Sequence, residues 1–273
     1  MDTKGIVMML NDPWEIVKRA RDMNRISTVE IIESLLSDFI ELHGDALYAD
    51  DSSIIGGIGL LNDIPVTIIA TRKGKTISDR ADNNYGMPHP EGYRKSIRLM
   101  KQAEKYKRPV ITIIDTPGAY PGVEAEKRGQ AVAIAKSLFE MSGLEVPIIN
   151  IVLGEGGSGG ALAIGVADKI YMFENAIYSV ISPEGFATIL FNDSKLAPKI
   201  TKHIKLTSRD LLNYNIVDEI IYEKELNTDY GSFIEKLKSK ILLDICDLEK
   251  YSSKELLIKR YSKFRKIGTY FEE

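Results

Sequence analysis

The 273-residue chain is 44% hydrophobic and 27% charged with a formal net charge of -3, an ordinary balance for a globular protein that buries one large core. A slight acidic excess does not suit a nucleic-acid binder, which carries a basic surplus. A single cysteine, Cys246, excludes an internal disulfide framework and a four-cysteine zinc site.

The first apolar run, Ile6 to Leu10, stops at Asn11-Asp12-Pro13. It lacks a signal-peptide layout, and no run in the chain is long enough to span a bilayer, so a cytoplasmic location away from membranes is expected. Residues 13–24 start with Pro13 and carry Trp14, Val17 and Ala20 among charges, which predicts a short amphipathic helix. A stronger helix follows from a cap at Thr28, because Ile31, Ile32, Leu35, Leu36, Phe39 and Leu42 recur at helical spacing. His43-Gly44-Asp45 should end it, with His43 in the C-cap.

From Ile54 the pattern changes to strands and glycines. A weak internal repeat places a proline at the start of three β-branched runs, Ile64–Ile69, Arg108–Ile114 and Val146–Val152. Helices lie between the later copies. One should bury Tyr93, Ile97, Met100 and Ala103, the other Ala131, Ile134, Ala135, Leu138 and Phe139. Strands alternating with helices predict an α/β layered core. Two more short strands are expected between Asp168 and Ile181, then a turn at Ser182-Pro183-Glu184-Gly185, short helices, and a last strand near Ile216–Tyr222. From Ser232 the chain reads as charged helix with Phe233, Leu237, Ile241 and Leu242 on one face, either a packing arm or an oligomer contact. The expected organisation is a helical arm over 1–45, a core over 46–225 and a helical region over 226–273.

The densest chemical signal is Val152 to Val166, which passes through Gly154, Gly156, Gly157, Gly159 and Gly160 between a strand and a helix. Glycine lets the backbone approach a ligand, and the first helical N–H groups have no internal partner and sit at the positive end of the helix dipole. An oxyanion is therefore favoured there, although a turn packed on a neighbouring strand is the alternative. Asp115-Thr116-Pro117-Gly118-Ala119-Tyr120-Pro121-Gly122 closes the preceding repeat strand in the same way. Adjacent parallel strands present such turns at one sheet edge, so backbone N–H groups from both could converge on one oxygen.

Other readings of these stretches are weaker. Gly156-Gly157-Ser158-Gly159-Gly160 matches the G-x-S-x-G of a hydrolase elbow, but the histidines are only His43, His89 and His203 and none forms a recognisable pair with an acid. A phosphate loop would need the lysine and Ser/Thr that are missing here. Without them, Asp115-Thr116-Pro117-Gly118 does not read as a nucleotide-metal turn. The stretch Arg72, Lys73, Lys75, Arg80, Arg94, Lys95 and Arg98 is either a solvated surface or a seat for coenzyme A phosphates or an acidic carrier.

Gly86-Met87-Pro88, Pro90 to Lys95, Asp115 to Gly122, Arg128-Gly129-Gln130, Gly154 to Gly165 and Tyr178 to Gly185 together resemble the acetyl-coenzyme A carboxylase carboxyltransferase α-subunit family of bacteria and plastids. The resemblance covers roughly Trp14 to Tyr222. It implies a crotonase-like (ClpP/crotonase) superhelix of strand–strand–helix turns with helical appendages, acting as an α2β2 assembly. The implied reaction moves a carboxyl group from carboxybiotin on a biotin carboxyl carrier protein to acetyl-coenzyme A, giving malonyl-coenzyme A for fatty-acid synthesis. It also implies that zinc belongs to the β subunit alone, that no cofactor is bound covalently here, and that this chain is inactive by itself.

Two oxyanions arise in that reaction, on the thioester and on the biotin ureido group, and both call for backbone donors rather than side-chain acids. The resemblance assigns the biotin oxyanion to the N–H groups of Gly159 and Gly160, with Gly118 and Ala119 as the second turn. Gly156, Gly157, Ser158, Tyr120, Pro121, Gly122 and Arg128 would surround carboxybiotin, and Arg72, Lys73, Lys75, Arg80, Arg94 and Lys95 would contact coenzyme A or the carrier. A hydratase or isomerase of the same fold would need paired glutamates; Glu124, Glu126 and Glu155 form no such pattern. A non-catalytic scaffold that uses the glycines only for packing stands as the other alternative.

Overall fold

A computed structural model describes residues 12–268; the run Ile6–Leu10 lies outside them. Asp12 caps α1 (Pro13–Ala20) by accepting from the Trp14 N–H, and the helix buries Ile16, Val17 and Ala20. The next helix, α2 (Thr28–Leu35), is capped by Ser27, one residue earlier than expected, in a reciprocal box with Glu30. Thr28 instead donates its hydroxyl to the Thr71 carbonyl.

The helical spacing predicted through Leu42 is overruled. Leu36 is already extended, and β1 (Ser37–Glu41) pairs antiparallel with β2 (Ile54–Leu61). Gly57 makes this possible, since a methyl group there would sit 2.1 Å from the Ile40 carbonyl oxygen. Strand pairing is a tertiary interaction, and it outweighs local periodicity. His43 is accordingly no helix cap; its Nδ1 lies 2.8 Å from Asp50.

β2 pairs antiparallel with β3 (Ile64–Thr71). Then α3 (Ile77–Asp82) and α4 (Pro90–Lys105) lead to β4 (Val110–Thr116), parallel to β3. α5 (Val123–Lys127) and α6 (Gln130–Gly143) lead on to β5 (Ile148–Gly157), parallel to β4. All three repeat strands are therefore neighbours in one sheet, as their shared pattern anticipates. Each carries fully buried isoleucines, among them Ile68, Ile69, Ile111, Ile113, Ile149 and Ile151; burying such a side chain contributes roughly 2–3 kcal/mol.

Beyond α7 (Ser158–Leu162), β5 divides its pairing. Its first half pairs with β6 (Lys169–Phe173) and its last residues with β7 (Ile177–Ser179). The expected turn at Ser182 is the start of α8 (Pro183–Phe191), where the Ser182 hydroxyl accepts from Gly185 N–H and Pro183 takes the first helical position. α9 (Ala197–Ile204), α10 (Ser208–Asn213) and β8 (Glu219–Ile221) follow. The described strands form one eight-stranded sheet, ordered β1-β2-β3-β4-β5-β6-β8 with β7 beside β5.

α11 (Tyr230–Leu248) and α12 (Ser253–Arg265) pack on this core rather than projecting from it. Phe233, Leu237 and Ile241 are buried in the main cluster, with Leu242 against it. Arg260, 2% exposed, donates to the carbonyls of Met141, Leu144 and Val146 and to Asp168, so α12 caps the end of α6. No helix among the described residues is long and apolar enough to cross a membrane.

One helix faces the opposite way from its apolar pattern. α6 buries Gln130, Ala133, Ser137 and Met141, while Ala131, Ala135 and Phe139 are exposed and Ile134 and Leu138 half-buried. Hydrogen bonds set this rotation. Ser137 donates to the Ala163 carbonyl at 2.5 Å, and the Gln130 amide donates to the carbonyls of Pro88 and Tyr120.

Candidate functional site

β4 and β5 are parallel neighbours, with Thr116 opposite Gly156. Their following turns therefore leave the sheet together, and the two backbones touch. A methyl group on Gly157 would lie 2.1 Å from the Pro117 carbonyl oxygen. One on Gly160 would lie 2.4 Å from the Gly118 carbonyl carbon and 2.5 Å from the Ala119 nitrogen. Glycine at 157 and 160 is required by this contact.

The first turn is shaped by Thr116, whose hydroxyl accepts from the Gly118 N–H at 3.0 Å and donates to the Gly118 carbonyl at 2.7 Å. Gly118 has φ 153°. Its N–H is thus already occupied, which removes it from the expected oxyanion donors. The N–H groups of Ala119, Gly159 and Gly160 donate to no protein acceptor among the described residues. Ala119 and the start of α7 accordingly present free donors from two abutting turns.

The second turn enters α7 through Ser158, which has φ 50° and is exposed. A left-handed serine costs about 1 kcal/mol, a strain that functional turns commonly hold. Among the described residues no histidine is hydrogen-bonded to Ser158; His89 stacks on Tyr120 with ring centroids 4.2 Å apart, and His43 faces Asp50. Those positions leave a Ser–His nucleophile unassembled. Beside Ser158 opens a mostly apolar recess of about 260 Å³, lined by Leu162, Tyr178, Val180, Leu211 and Phe264.

The remaining glycines serve packing. A methyl group at Gly156 would meet the Tyr178 ring at 2.8 Å, and one at Gly154 would meet Asp115 Oδ1 at 2.4 Å. Desolvation pushes the Tyr178 phenol up to about 12. Gly122 accommodates the Tyr120 ring, Tyr120 is half-buried, and Pro121 is exposed at the tip of the turn.

Beneath the turns runs a charge network that sequence reasoning missed. Lys73 Nζ lies 2.6 Å from Glu155 and 3.1 Å from Asp115. Arg21 reaches Glu155 and Glu184, both at 2.7 Å. Asp115 also accepts the Glu155 N–H at 2.9 Å. Burial alone would lower the Lys73 ammonium, but the charges of Asp115 and Glu155 more than reverse this and raise it. A signal was present: Lys73, Asp115 and Glu155 each fall just past the β-branched run of one of three neighbouring strands.

The basic residues expected to meet coenzyme A or the carrier divide in two. Lys73 is committed to the network. Lys95, with no exposed surface, donates to Asp50 at 2.7 Å, and Arg94 pairs with Asp45 and Glu91. Arg128 bonds Glu91 at 2.7 Å and stacks on Tyr48. Arg72 and Arg80 are half-buried and Lys75 is exposed, with Lys75 paired to Glu30 and Arg80 Nε donating to the Gly74 carbonyl. Lys73 and Lys95 are therefore structural cations in this chain. Of the three glutamates a hydratase could use, Glu155 is held by two cations, and Glu124 and Glu126 are exposed on α5.

A family model described as acetyl co-enzyme A carboxylase carboxyltransferase-like matches residues 3–268. The acetyl-coenzyme A carboxylase carboxyl transferase subunit alpha of Streptococcus thermophilus (strain ATCC BAA-491 / LMD-9) is 52% identical over 257 residues, covering 94% of this chain and 100% of that protein. The Clostridium tetani (strain Massachusetts / E88) protein named for subunits beta/alpha is 51% identical over 95% of this chain, which spans only 45% of it. Among solved structures, a transcarboxylase 12S core with methylmalonyl-coenzyme A and methylmalonic acid bound is similar with TM-score 0.64 and 21% identity, over 80% of this chain and 44% of that one. The P. aeruginosa geranyl-CoA carboxylase β subunit is similar with TM-score 0.61 and 16% identity, over 80% of this chain and 41% of that one. These structural likenesses, together with the family match, show the crotonase-like fold that the sequence resemblance implies.

Proposed function

Because the chain belongs to the acetyl co-enzyme A carboxylase carboxyltransferase-like family, we propose that it is the α half of a carboxyltransferase, moving the carboxyl group of carrier-borne carboxybiotin to acetyl-coenzyme A and so making malonyl-coenzyme A for fatty-acid synthesis. It works in the cytoplasm with a β subunit, as α2β2, and any zinc belongs to that partner. Carboxybiotin enters as a substrate on the carrier protein.

The observation that carries this reading is the abutment of the two turns, with free N–H groups at Ala119, Gly159 and Gly160. Carboxybiotin loses carbon dioxide as its N–C bond breaks, leaving negative charge spread over the ureido nitrogen and oxygen. The nitrogen takes a proton from the acetyl methyl, and the resulting enolate attacks carbon dioxide through carbon. Neither step needs a protein acid or base. Both need fixed donors at an oxygen that becomes more negative in the transition state, and backbone N–H groups are already oriented for this. Gly159 and Gly160 serve the biotin oxygen, and the Ala119 N–H supports the same pocket. The recess beside Ser158 offers an apolar wall to the biotin rings.

The test is decarboxylation of malonyl-coenzyme A to acetyl-coenzyme A in the presence of biocytin, run with this chain alone and with a β subunit. Activity only in the mixture is expected. A stable complex without activity would overturn the reading, and hydration of crotonyl-coenzyme A by the chain would favour the hydratase instead.

A further inference from the structure

Two polar side chains are buried on the inner face of α6, Gln130 at its start and Ser137 two turns further on. The Gln130 amide donates to the Pro88 carbonyl at 2.8 Å and to the Tyr120 carbonyl at 3.0 Å. This occupies its N–H groups and leaves its Oε1 buried with no partner among the described residues. Buried side chains rarely leave an oxygen unmatched. Turned over, the amide would aim that oxygen at two carbonyls, so its orientation is fixed. The Ser137 hydroxyl donates to the Ala163 carbonyl at 2.5 Å.

Each of these bonds ends beside a free N–H group of the candidate site. Tyr120 follows Ala119, and its own N–H donates to the Pro88 carbonyl at 3.0 Å. On the other side of Ala119, Thr116 donates to the Gly118 carbonyl. The Gly118–Ala119 peptide is trans, so holding that carbonyl aims the Ala119 N–H the opposite way. In the second turn, the Ala163 N–H donates to the Gly159 carbonyl at 2.9 Å. The peptide carrying that carbonyl also carries the Gly160 N–H. Tyr93, Ala119, Ala133, Ile134 and Ala163 pack in one small cluster, so α6 reaches both turns through apolar contacts as well.

We propose that Gln130 and Ser137 are positioning residues for carboxyl transfer, and that α6 is a strut holding the two turns at one spacing. Gln130 secures the Ala119 side and Ser137 the Gly160 side. This rests on the carboxyltransferase reading. The two residues stand roughly 10 Å apart along a helix axis, a length that intrahelical hydrogen bonds keep constant. Both are too buried to touch substrate, at 3% and 0% exposed. Oxyanion donors act only when held where charge develops, and two turns that meet through bare backbone have no side chains of their own to lock them. A strut fails when either end is freed, so the two residues act as a unit.

The experiment uses the complex of this chain with a β subunit and follows biocytin-dependent decarboxylation of malonyl-coenzyme A. Gln130→Met and Ser137→Ala should each lower kcat on the order of tenfold with KM for malonyl-coenzyme A unchanged, the pattern of a contribution made only in the transition state. The double variant should turn over within about threefold of the slower single one, because residues acting as a unit are not additive. Losses that multiply overturn the proposal. So does an equal loss in Ser142→Ala, whose hydroxyl donates to the Phe139 carbonyl on the exposed side of the same helix. Amide hydrogen exchange supplies a readout without turnover. The Tyr120 amide should exchange about tenfold faster in Gln130→Met, and the Ala163 amide likewise in Ser137→Ala, while the amides of Ile111 and Ile113 on β4 keep their rates. Unchanged exchange at Tyr120 and Ala163, or a uniform rise through the sheet, overturns the proposal. A wild-type complex that forms but decarboxylates nothing tells against the functional reading, and the exchange rates then decide the strut by themselves.

Discussion

The Lys73 ammonium lies 2.6 Å from one Glu155 oxygen and 3.1 Å from Asp115, tying the ends of β3, β4 and β5 together under both turns. Lys73→Met leaves two buried carboxylates facing each other with only Arg21 beside Glu155. The expected loss is about 3 kcal/mol at pH 7, the lower end for breaking a buried pair. Thermal melts of the variant and wild type at pH 7 check it, and an unchanged melting temperature counts against the account.

Gly159 and Gly160 separate packing from chemistry. Gly160→Ala forces a methyl group against the Gly118–Ala119 peptide and should lower the melting temperature as well as turnover. A methyl group at Gly159 meets only Ile134, at ordinary contact distance. Gly159→Val keeps the N–H but sets a branched side chain beside it, so it should keep the fold while reducing turnover on the order of 10²-fold, the scale of holding the oxygen away from one oxyanion donor. Turnover equal to wild type in the Gly159 variant would remove it from the site.

Asp50 gives a second pH signature. Burial pushes its carboxyl up, but Lys95, the Gly44 N–H and His43 outweigh this and hold it at about 2, against 3.8 for the free group. Its contribution is complete above pH 3.8 and disappears as pH falls towards 2. Because Asp50 is partly exposed, Asp50→Asn should cost only about 1–2 kcal/mol at pH 7, below the usual range for a buried pair. Denaturant titrations at pH 7 and pH 2 should show that difference closing.

Arg260 and Asp168 have side chains 1% and 3% exposed, and Arg260 also fills three carbonyls at the end of α6 and just beyond it, those of Met141, Leu144 and Val146. Arg260→Met leaves Asp168 buried and those carbonyls unmatched, with an expected cost of about 3–5 kcal/mol. Arg260→Lys should recover only part, since an ammonium cannot reproduce the planar fork. Calorimetry that shows no change would mean α12 is not clamped here.

The repeat strands, the helix start at Pro13 and the two glycine turns are written locally, in runs of β-branched residues, prolines and glycines whose backbone preferences act over a few residues. Local patterns misled where distant partners decide. Phe39 and Leu42 fit a helix, yet Gly57 on another strand admits β1. The apolar stripe of α6 reads as core, but Ser137 and Gln130 find carbonyl partners on the inner side and turn the stripe outward. Basic residues at 73, 94 and 95 read as ligand contacts, while their carboxylate partners lie at Asp115, Glu155, Asp45 and Asp50, beyond the reach of any local pattern.

By itself, the sequence determined the layered α/β class, the order of the repeat strands and the glycine chemistry of two turns, because propensity and steric freedom are properties of short segments. Only the tertiary structure decided that the turns abut, that the Gly118 N–H is occupied, that Lys73 locks three strand ends and that α6 faces outward. Each of those depends on a hydrogen bond, charge pair or steric contact between residues far apart in the chain, and its energy exists only once folding has brought them together.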